Sequence, residues 1–265
     1  MKDHINIIML GDVIGEAGIA ALEKCLPQLI QQYGASLVVA NGENASGGFG
    51  MTAEVFDRLL AAGVDLVTSG NHIWQKRDFW PVMDSDLRIL RPANYPSDCP
   101  GRGYAKTEKA GLPLILVNLQ GRISMAPIDC PFKTMDRLLE SSDFCMEPRP
   151  VIIVDFHAES TEEKEALAFY LDGRVNLIAG THTHVQTADE RLLPKGSAYI
   201  TDLGMTGAEE SIIGMDIKLC LDRSRTQIPY RMECAIGNGT LQGIIAGIDN
   251  SSGKTLSIER LCVSA

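Results

Sequence analysis

Side chains with metal-binding chemistry recur at the carboxyl ends of the predicted strands. Asp12 follows the first strand. Four later strands end in longer polar segments, namely NGEN (41–44), SGNH (69–72), DFH (155–157) and GTHTH (180–184). In an open α/β sheet the carboxyl ends of parallel strands share one edge, and ligands bind there. We therefore expect seven side chains to converge: Asp12, Glu43, Asn71, His72, His157, His182 and His184.

The histidines concentrate at these strand ends. The chain has five histidines, and only His4, which precedes the first strand, lies elsewhere. One histidine after a strand is more often a hydrogen-bonded structural residue than a ligand, and Asp12 alone could cap a helix. Chance does not readily place the whole set at one edge, so the pattern predicts a metal site.

The ligand types select among metals. Imidazole, carboxylate and amide oxygen suit Mn²⁺, Fe and Zn²⁺, whereas Mg²⁺ rarely recruits three histidines. The set contains no cysteine, which disfavours a structural zinc site. It is also too large for one ion, because His182 and His184 can point to different ions and Glu43 can bridge them. Two ions about 3.5–4 Å apart are usual for phosphoester hydrolysis, in which a bridging water with a lowered pKa is the nucleophile.

The adjacent residues Asn71 and His72 do not easily point into the same ion. If Asn71 is a ligand, His72 faces the substrate, where it can protonate the leaving oxygen. The alternative for His72 is a hydrogen bond that only supports the ligands.

The elements that position these residues alternate along the chain. Predicted strands are Ile5–Leu10, Leu37–Ala40, Leu66–Thr68, Leu114–Leu119, Val151–Val154, Val175–Ala179 and Ala198–Thr201. Predicted helices are about Ala17–Tyr33 (ending at Gly34), Ala53–Ala62, near Lys76–Met83, near Phe132–Leu139 and Thr161–Tyr170 (with Ser160 and Thr161 as candidate caps). This order predicts an α/β fold with a mostly parallel sheet covered on both faces. Leu241–Ile248 and Thr255–Cys262 flank the turn DNSSG and predict a C-terminal antiparallel hairpin at the sheet margin.

Arg88–Gly111 is predicted to be one long irregular loop, because it is rich in proline and glycine. Its segment Arg91–Pro96 could contact a substrate or only fix the loop. No repeat, linker or boundary is visible, so we expect a single domain over residues 1–265.

Composition excludes several classes of protein. The hydrophobic share of 45% is sufficient for a full core. A net charge of −10 argues against long nucleic acid as the main partner. No run approaches the about 18 apolar residues of a membrane span, and the charged N-terminus does not resemble a signal peptide. The seven cysteines include no CxxC pair, which favours reduced thiols in a cytoplasmic protein.

The motifs resemble those of a known family. GNH (70–72) and GTHTH (180–184) resemble motifs of the calcineurin-like metallophosphoesterases. Longer segments, in order along nearly the whole chain, resemble the bacterial YmdB-like phosphodiesterases: GDVIG (11–15), NGENASGG (41–48), SGNHIW (69–74), RPANYP (91–96), VDFHAESTEEK (154–164), GTHTHVQTADE (180–190) and YITDLGMTG (199–207). The resemblance implies a four-layer α/β/β/α sandwich, two divalent metal ions, a homo-oligomer, and hydrolysis of phosphodiesters, with 2′,3′-cyclic nucleotides as the substrate class.

The resemblance also implies roles for individual residues. Asp12, Glu43 and His184 would bind one ion, whereas Glu43, Asn71, His157 and His182 would bind the other. Asn44 would contact the first ion or the substrate, and His72 matches the catalytic histidine. The wider superfamily has a histidine where this chain has Ile14 and a bridging aspartate where it has Glu43, which leaves the first ion with an open position.

Three functions fit these residues. The first is a dinuclear phosphodiesterase acting on a small cyclic nucleotide. The second is a phosphomonoesterase or protein phosphatase on the same metals, and the third is a regulatory protein that binds a nucleotide or RNA end with slow turnover. Fe or Mn is the expected metal, and Zn also fits.

Overall fold

Two β-sheets form the centre of the fold in a computed structural model that describes residues 4–265. The first sheet contains β1 (His4–Leu10), β2 (Asp12–Val13), β3 (Ala35–Asn41), β4 (Leu66–Thr68), β11 (Met205–Ala208), β12 (Gly239–Asp249) and β13 (Thr255–Ser264). The second contains β5 (Tyr104–Lys109), β6 (Leu112–Gln120), β7 (Val151–His157), β8 (Leu177–Thr181), β9 (Arg191–Leu192) and β10 (Ala198–Ile200). The helices are α1 (Gly15–Tyr33), α2 (Ala53–Ala61), α3 (Trp80–Ser85), α4 (Pro131–Leu139), α5 (Thr161–Leu171) and α6 (Ile217–Thr226).

Parallel pairing dominates the strands that lead to the predicted site residues. In the first sheet β1, β3 and β4 are parallel neighbours. In the second sheet β6, β7, β8 and β10 are parallel neighbours. The prediction of a mixed α/β fold with mostly parallel strands is therefore confirmed. β12 pairs antiparallel with β1 through one edge and with β13 through the other.

Alternation along the strands explains why both faces of the sheets are apolar. In β1, Ile5, Ile7 and Met9 lie in a core cluster shared by strands of both sheets. The alternate residues Ile8 and Leu10 belong to a second cluster, which α1 and α2 complete on the outer face of the first sheet. A third cluster joins α4 and α5 to the outer face of the second sheet. Because successive side chains of a strand point to opposite faces, a run such as INIIML is buried on both sides.

The helix ends largely follow their local signals. α1 ends at Gly34, which has a φ of 57° and donates its backbone N–H to the carbonyl of Ile30. α5 begins at Ser160, whose hydroxyl accepts from the backbone N–H of Glu163. The helix predicted near Lys76–Met83 is instead divided into two 3₁₀ turns followed by α3. Pro81 near the start of α3 explains the break, because proline lacks the N–H that would continue a preceding helix.

The prediction of one irregular loop over Arg88–Gly111 is wrong for its last part. Residues Tyr104–Lys109 form β5, which pairs antiparallel with β6 at the edge of the second sheet. The connecting residues Ala110 and Gly111 both have positive φ, as a two-residue hairpin turn requires. Charged residues on this edge strand hid its β character. Strands β2, β9 and β11 and helix α6 were also not predicted. None of the helices in residues 4–265 is long and apolar enough to cross a membrane.

Candidate metal centre

All eight predicted site residues lie in one continuous network at the carboxyl ends of the strands. Glu43 and Asn44 follow β3, Asn71 and His72 follow β4, and His182 and His184 follow β8. Asp12 begins the short strand β2, and His157 is the last residue of β7. The first sheet thus supplies the carboxylates and amides, and the second sheet supplies three of the four histidines.

Glu43, His157 and His182 form the tightest part of the network. One ligand atom from each lies within 4.8 Å of the others. The Nε2 atom of His157 is 3.0 Å from Oε1 of Glu43 and 3.2 Å from Oδ1 of Asn71. The Nδ1 atom of His182 lies 3.0 Å from the same Nε2. Carboxylate, amide oxygen and two imidazoles therefore converge on one point, which is a donor set that fits Mn²⁺, Fe or Zn²⁺.

Asp12, Glu43 and His184 form a second group around the amide of Asn44. The Nδ2 atom of Asn44 lies 3.4 Å from Oδ1 of Asp12, 3.3 Å from Oε1 of Glu43 and 3.2 Å from Nε2 of His184. Several acceptors thus surround a single donor, which is the arrangement that a cation would satisfy. Glu43 belongs to both groups through the same carboxylate.

The network contains buried carboxylates, which need positive charge nearby to stay ionised. Burial raises the pKa of Asp12. Burial would also raise the pKa of Glu43, but the charge and hydrogen bond of His157 lower it to about 2. Burial would lower the pKa of His157, yet Glu43 and then Asp12 raise it to about 9. Burial and the charge of His157 lower the pKa of His182 to about 3. A proton on His157 balances the carboxylates here, and a bound metal ion would replace it.

A buried chain of hydrogen bonds fixes the ring of His157. Its Nδ1 atom lies 3.0 Å from Oγ1 of Thr181. That hydroxyl donates to Oδ1 of Asp155 at 2.7 Å, so it accepts the Nδ1–H of His157. The side chains of Asn41 and Thr68 both donate to the other oxygen of Asp155. The Nε2 atom of His157 is therefore directed at the ligand cluster, and once its proton is displaced its lone pair can bind a metal, as in metal sites whose histidines are held through their second nitrogen.

Gly70 allows the close approach of this ring. A Cβ atom at Gly70 would lie 2.1 Å from Cδ2 of His157. The glycine of the GNH motif is thus required by packing against a predicted ligand, because any larger residue would displace the imidazole.

The segment that carries His182 and His184 has an unusual backbone. The φ angles of these residues are 100° and 65°, in the left-handed region that favours glycine. Between them, Thr183 donates its backbone N–H and its hydroxyl to Oδ2 of Asp202, at 3.1 and 2.8 Å. The ammonium of Lys164 donates to the same oxygen at 2.6 Å. This anchored turn directs both imidazoles toward the carboxylates.

His72 faces an open cavity rather than the ligand cluster. Its Nδ1 atom lies 2.9 Å from Oδ1 of Asn44, and its backbone N–H donates to Glu43 at 2.8 Å. The ring is 5.1 Å from that of Phe49, and 29% of the side chain is exposed. Because Nδ1 is held by Asn44, Nε2 is the nitrogen available to a ligand. The cavity measures about 520 Å³ and is also lined by His182 and His184.

Some residues that the sequence singled out serve the scaffold. The guanidinium of Arg91 is buried and donates to the carbonyls of Pro92 and Pro96, so it fixes its own loop. The hydroxyl of Tyr95 donates to Gln120 at 3.1 Å. Conversely, sequence reasoning missed the supporting residues Asp155, Thr181, Lys164 and Asp202. All four lie inside the family motifs, and Asp155 and Thr181 also lie within two positions of a predicted ligand, which is the signal that could have identified them.

Comparison with known proteins agrees with the motifs. A family model described as YmdB-like protein matches residues 8–261. A 2′,3′-cyclic-nucleotide 2′-phosphodiesterase from Bacillus subtilis is 41% identical over 260 residues, which cover 98% of this chain and 97% of the relative. A crystal structure of a hypothetical protein from Thermus thermophilus has a TM-score of 0.91 and 39% identity, covering 98% of this chain and 99% of that one. An NAD nucleotidase from Haemophilus influenzae, 12% identical with a TM-score of 0.59, covers 98% of this chain and 56% of its own, and shares the fold.

Proposed function

Because the chain belongs to the YmdB-like family, we propose that it is a metal-dependent phosphoric diester hydrolase that acts on 2′,3′-cyclic nucleotides. The relative from Bacillus subtilis is named for this activity and aligns with nearly the whole chain. The observation that carries the proposal is the position of Glu43. Its carboxylate is shared by two groups of ligand atoms that open on a single cavity.

Two divalent ions, Fe or Mn, fit this arrangement. Asp12, Glu43 and His184 would hold one, whereas Glu43, Asn71, His157 and His182 would hold the other. When bound, the ions would neutralise charge on the phosphate and make water a better nucleophile at neutral pH. Asn44 lies among the ligand atoms of the first group, and its oxygen contacts Nδ1 of His72, so it also positions the catalytic histidine.

His72 is the group that supplies the proton. The oxygen of the attacking water forms a bond to phosphorus and releases a proton to solvent, from which His72 is later reprotonated, and the bond from phosphorus to O2′ breaks. The leaving O2′ takes a proton from Nε2 of His72, because a sugar alkoxide is a poor leaving group. The product is a nucleoside 3′-phosphate. Asn44 holds Nδ1 and Phe49 lies beside the ring, so the imidazole is oriented before substrate arrives.

The scale of the site favours a small substrate. The chain has a net charge of −10, which opposes the approach of a long polyanion. A cavity of about 520 Å³ lies within the range of small-molecule sites.

The proposal extends to the form of the protein. The core cluster shared by the sheets and the helix clusters outside them support a four-layer sandwich that folds as one domain over the described residues 4–265. The seven cysteines, all free, favour a cytoplasmic location. Exposed apolar residues of α6, Ile217 and Leu221, support a homo-oligomer.

The proposal is tested by pairing metal analysis with turnover. Protein purified without chelator should contain Fe or Mn and should convert 2′,3′-cyclic AMP to 3′-AMP faster than it cleaves a phosphomonoester or a structured RNA. Faster cleavage of the monoester would make the protein a phosphatase. Equal or faster cleavage of RNA at physiological salt would contradict the small-substrate reasoning. Tight nucleotide binding without turnover would indicate a regulatory protein.

A further inference from the structure

The connection between β11 and β12 is much longer than the sheet requires. Ala208 and Gly239 are paired neighbours in these antiparallel strands, and two residues are enough to close such a hairpin. The chain instead leaves the sheet over residues 209–238, which we call the excursion. It contains α6, and none of the helix residues is buried. The excursion therefore adds little to the core. Ordering its residues costs conformational entropy, so another role must account for it.

The excursion is fixed over the candidate metal centre. The Nδ1 atom of His184 lies 3.0 Å from the carbonyl oxygen of Ile213. Met215 and Cys234 are paired backbone neighbours, and both pack against the glycine turn that follows Glu43. A Cβ atom at Gly48 would lie 2.9 Å from Sγ of Cys234 and 3.2 Å from Cε of Met215. These contacts place the excursion on the wall of the cavity that contains His72.

One face of α6 lines that cavity. The lining residues are Cys220, Arg223, Ser224 and Gln227. Their spacing of i, i+3, i+4 and i+7 places them on a single helical face that continues through the C-cap. Arg225, by contrast, does not line the cavity and lies on another side of the helix.

The wall combines apolar and polar groups in a way that suits a heterocyclic base. Phe49, Ile213 and Met232 supply apolar surface. Arg223 and Gln227 supply hydrogen-bonding groups, and Gln227 uses its Nε2 atom to donate to the carbonyl of Ser224, which leaves its Oε1 atom to accept. A phosphate needs donors and positive charge, but it does not need an apolar wall. A planar base has an apolar face and a polar edge, and Arg can stack on the face or donate to the edge.

We propose that this face of α6, with Phe49, Ile213 and Met232, is the nucleobase subsite, so that the excursion determines how the substrate is selected. This inference rests on the proposed function, since it assumes that the phosphate lies at the metal centre. Arg223 and Gln227 are specificity-determining residues that contact the base. The chemistry at phosphorus remains with His72 and the predicted ligands.

The test compares two substrates that share the reacting group. The first is 2′,3′-cyclic AMP, and the second is 1-O-methylribose 2′,3′-cyclic phosphate, which lacks the base. In metal-loaded full-length protein, Arg223→Ala should lower kcat/KM for the nucleotide about 10- to 100-fold more than for the base-free ester, since a hydrogen bond from a charged group contributes on this scale. The loss should occur in KM. Gln227→Ala should also lower kcat/KM more for the nucleotide than for the base-free ester, but by a smaller factor. Arg225→Ala is the matched control.

The possible outcomes distinguish a failure of the subsite hypothesis from a failure of the proposed function. If Arg223→Ala lowers kcat/KM equally for both substrates, Arg223 contacts the phosphate or the ribose. If Arg225→Ala has the same effect as Arg223→Ala, the effect comes from surface charge in general. Either would overturn the subsite. If the wild type cleaves neither substrate, the proposed function fails. The subsite is then judged by calorimetric binding of 3′-AMP, which Arg223→Ala should weaken. Far-UV circular dichroism checks that α6 still folds.

Discussion

Lys164→Met should destabilise the protein far more than the loss of a surface lysine. The Lys164 ammonium lies 2.6 Å from Oδ2 of Asp202, and both side chains are only 1% exposed. Methionine keeps most of the volume and removes the charge, which leaves a buried carboxylate without its cation. Breaking such a pair typically costs roughly 3–5 kcal/mol in free energy of unfolding. Asp202 keeps the N–H groups of Thr183 and Gly204 and the Thr183 hydroxyl, so we expect about 3 kcal/mol.

The measurement is urea unfolding of metal-free and metal-loaded protein, with metal content determined on the same samples. Lys106→Met is the matched control, because Lys106 pairs with Asp143 at 2.8 Å but the two side chains are 49% and 32% exposed. An exposed pair of this kind contributes about 0–1 kcal/mol. Lys164→Met should also lower the metal content, because Asp202 anchors Thr183 between two residues with strained backbone conformations, His182 and His184.

A double variant separates charge from packing. Lys164→Met combined with Asp202→Asn removes the uncompensated charge and keeps one side-chain acceptor for Thr183 or Gly204. It should recover most of the lost stability. The reasoning is refuted if Lys164→Met costs no more than Lys106→Met, or if the double variant is less stable than Lys164→Met alone.

Three further predictions concern the centre itself. Glu43→Ala should lose both metal ions and Asp12→Ala mainly one, as measured by elemental analysis; two ions retained in Glu43→Ala would contradict the shared ligand. His72→Ala should keep its metal and lose turnover of a cyclic nucleotide by about 10²–10⁴-fold, with a much smaller loss on a nitrophenyl ester, whose leaving group needs no proton; equal losses would remove the general-acid role. Gly70→Ala should cost about 1–3 kcal/mol in thermal unfolding and reduce metal content, because its methyl group overlaps His157; a variant with normal metal content would show that the ring can move freely.

The sequence alone was sufficient to predict which residues lie together at the carboxyl edge of the parallel strands. Asp12, Glu43 and His157 were predictable because the end of each strand is a local signal and parallel topology aligns the ends. The residues that support them were not predictable in this way. Lys164 and Asp202 are 38 positions apart along the chain, and no periodic pattern pairs a helix residue with one that follows a distant strand.

Two physical causes explain most of the missed elements, namely exposure of the residues and shortness of the strand. α6 has no buried residue, so it lacks the apolar stripe from which amphipathic helices are predicted. β5 is an edge strand with charged residues, and β2 and β9 have two residues each. Prediction from hydrophobic pattern detects elements that pack on a core. It does not detect elements whose residues face a cavity or solvent.

The division of the proposed ligands between two sheets would make metal occupancy part of the folding equilibrium. Asp12, Glu43 and Asn71 belong to one sheet, and His157, His182 and His184 belong to the other, so bound metal would act as a cross-link between the sheets. Ligands that bind only the folded state add RT ln(1 + [L]/Kd) to its stability. A cell starved of the metal would then lose the protein itself as well as its activity, because the less stable apoprotein opens more often to proteases. Abundance of this chain would thereby follow metal supply without any dedicated sensor.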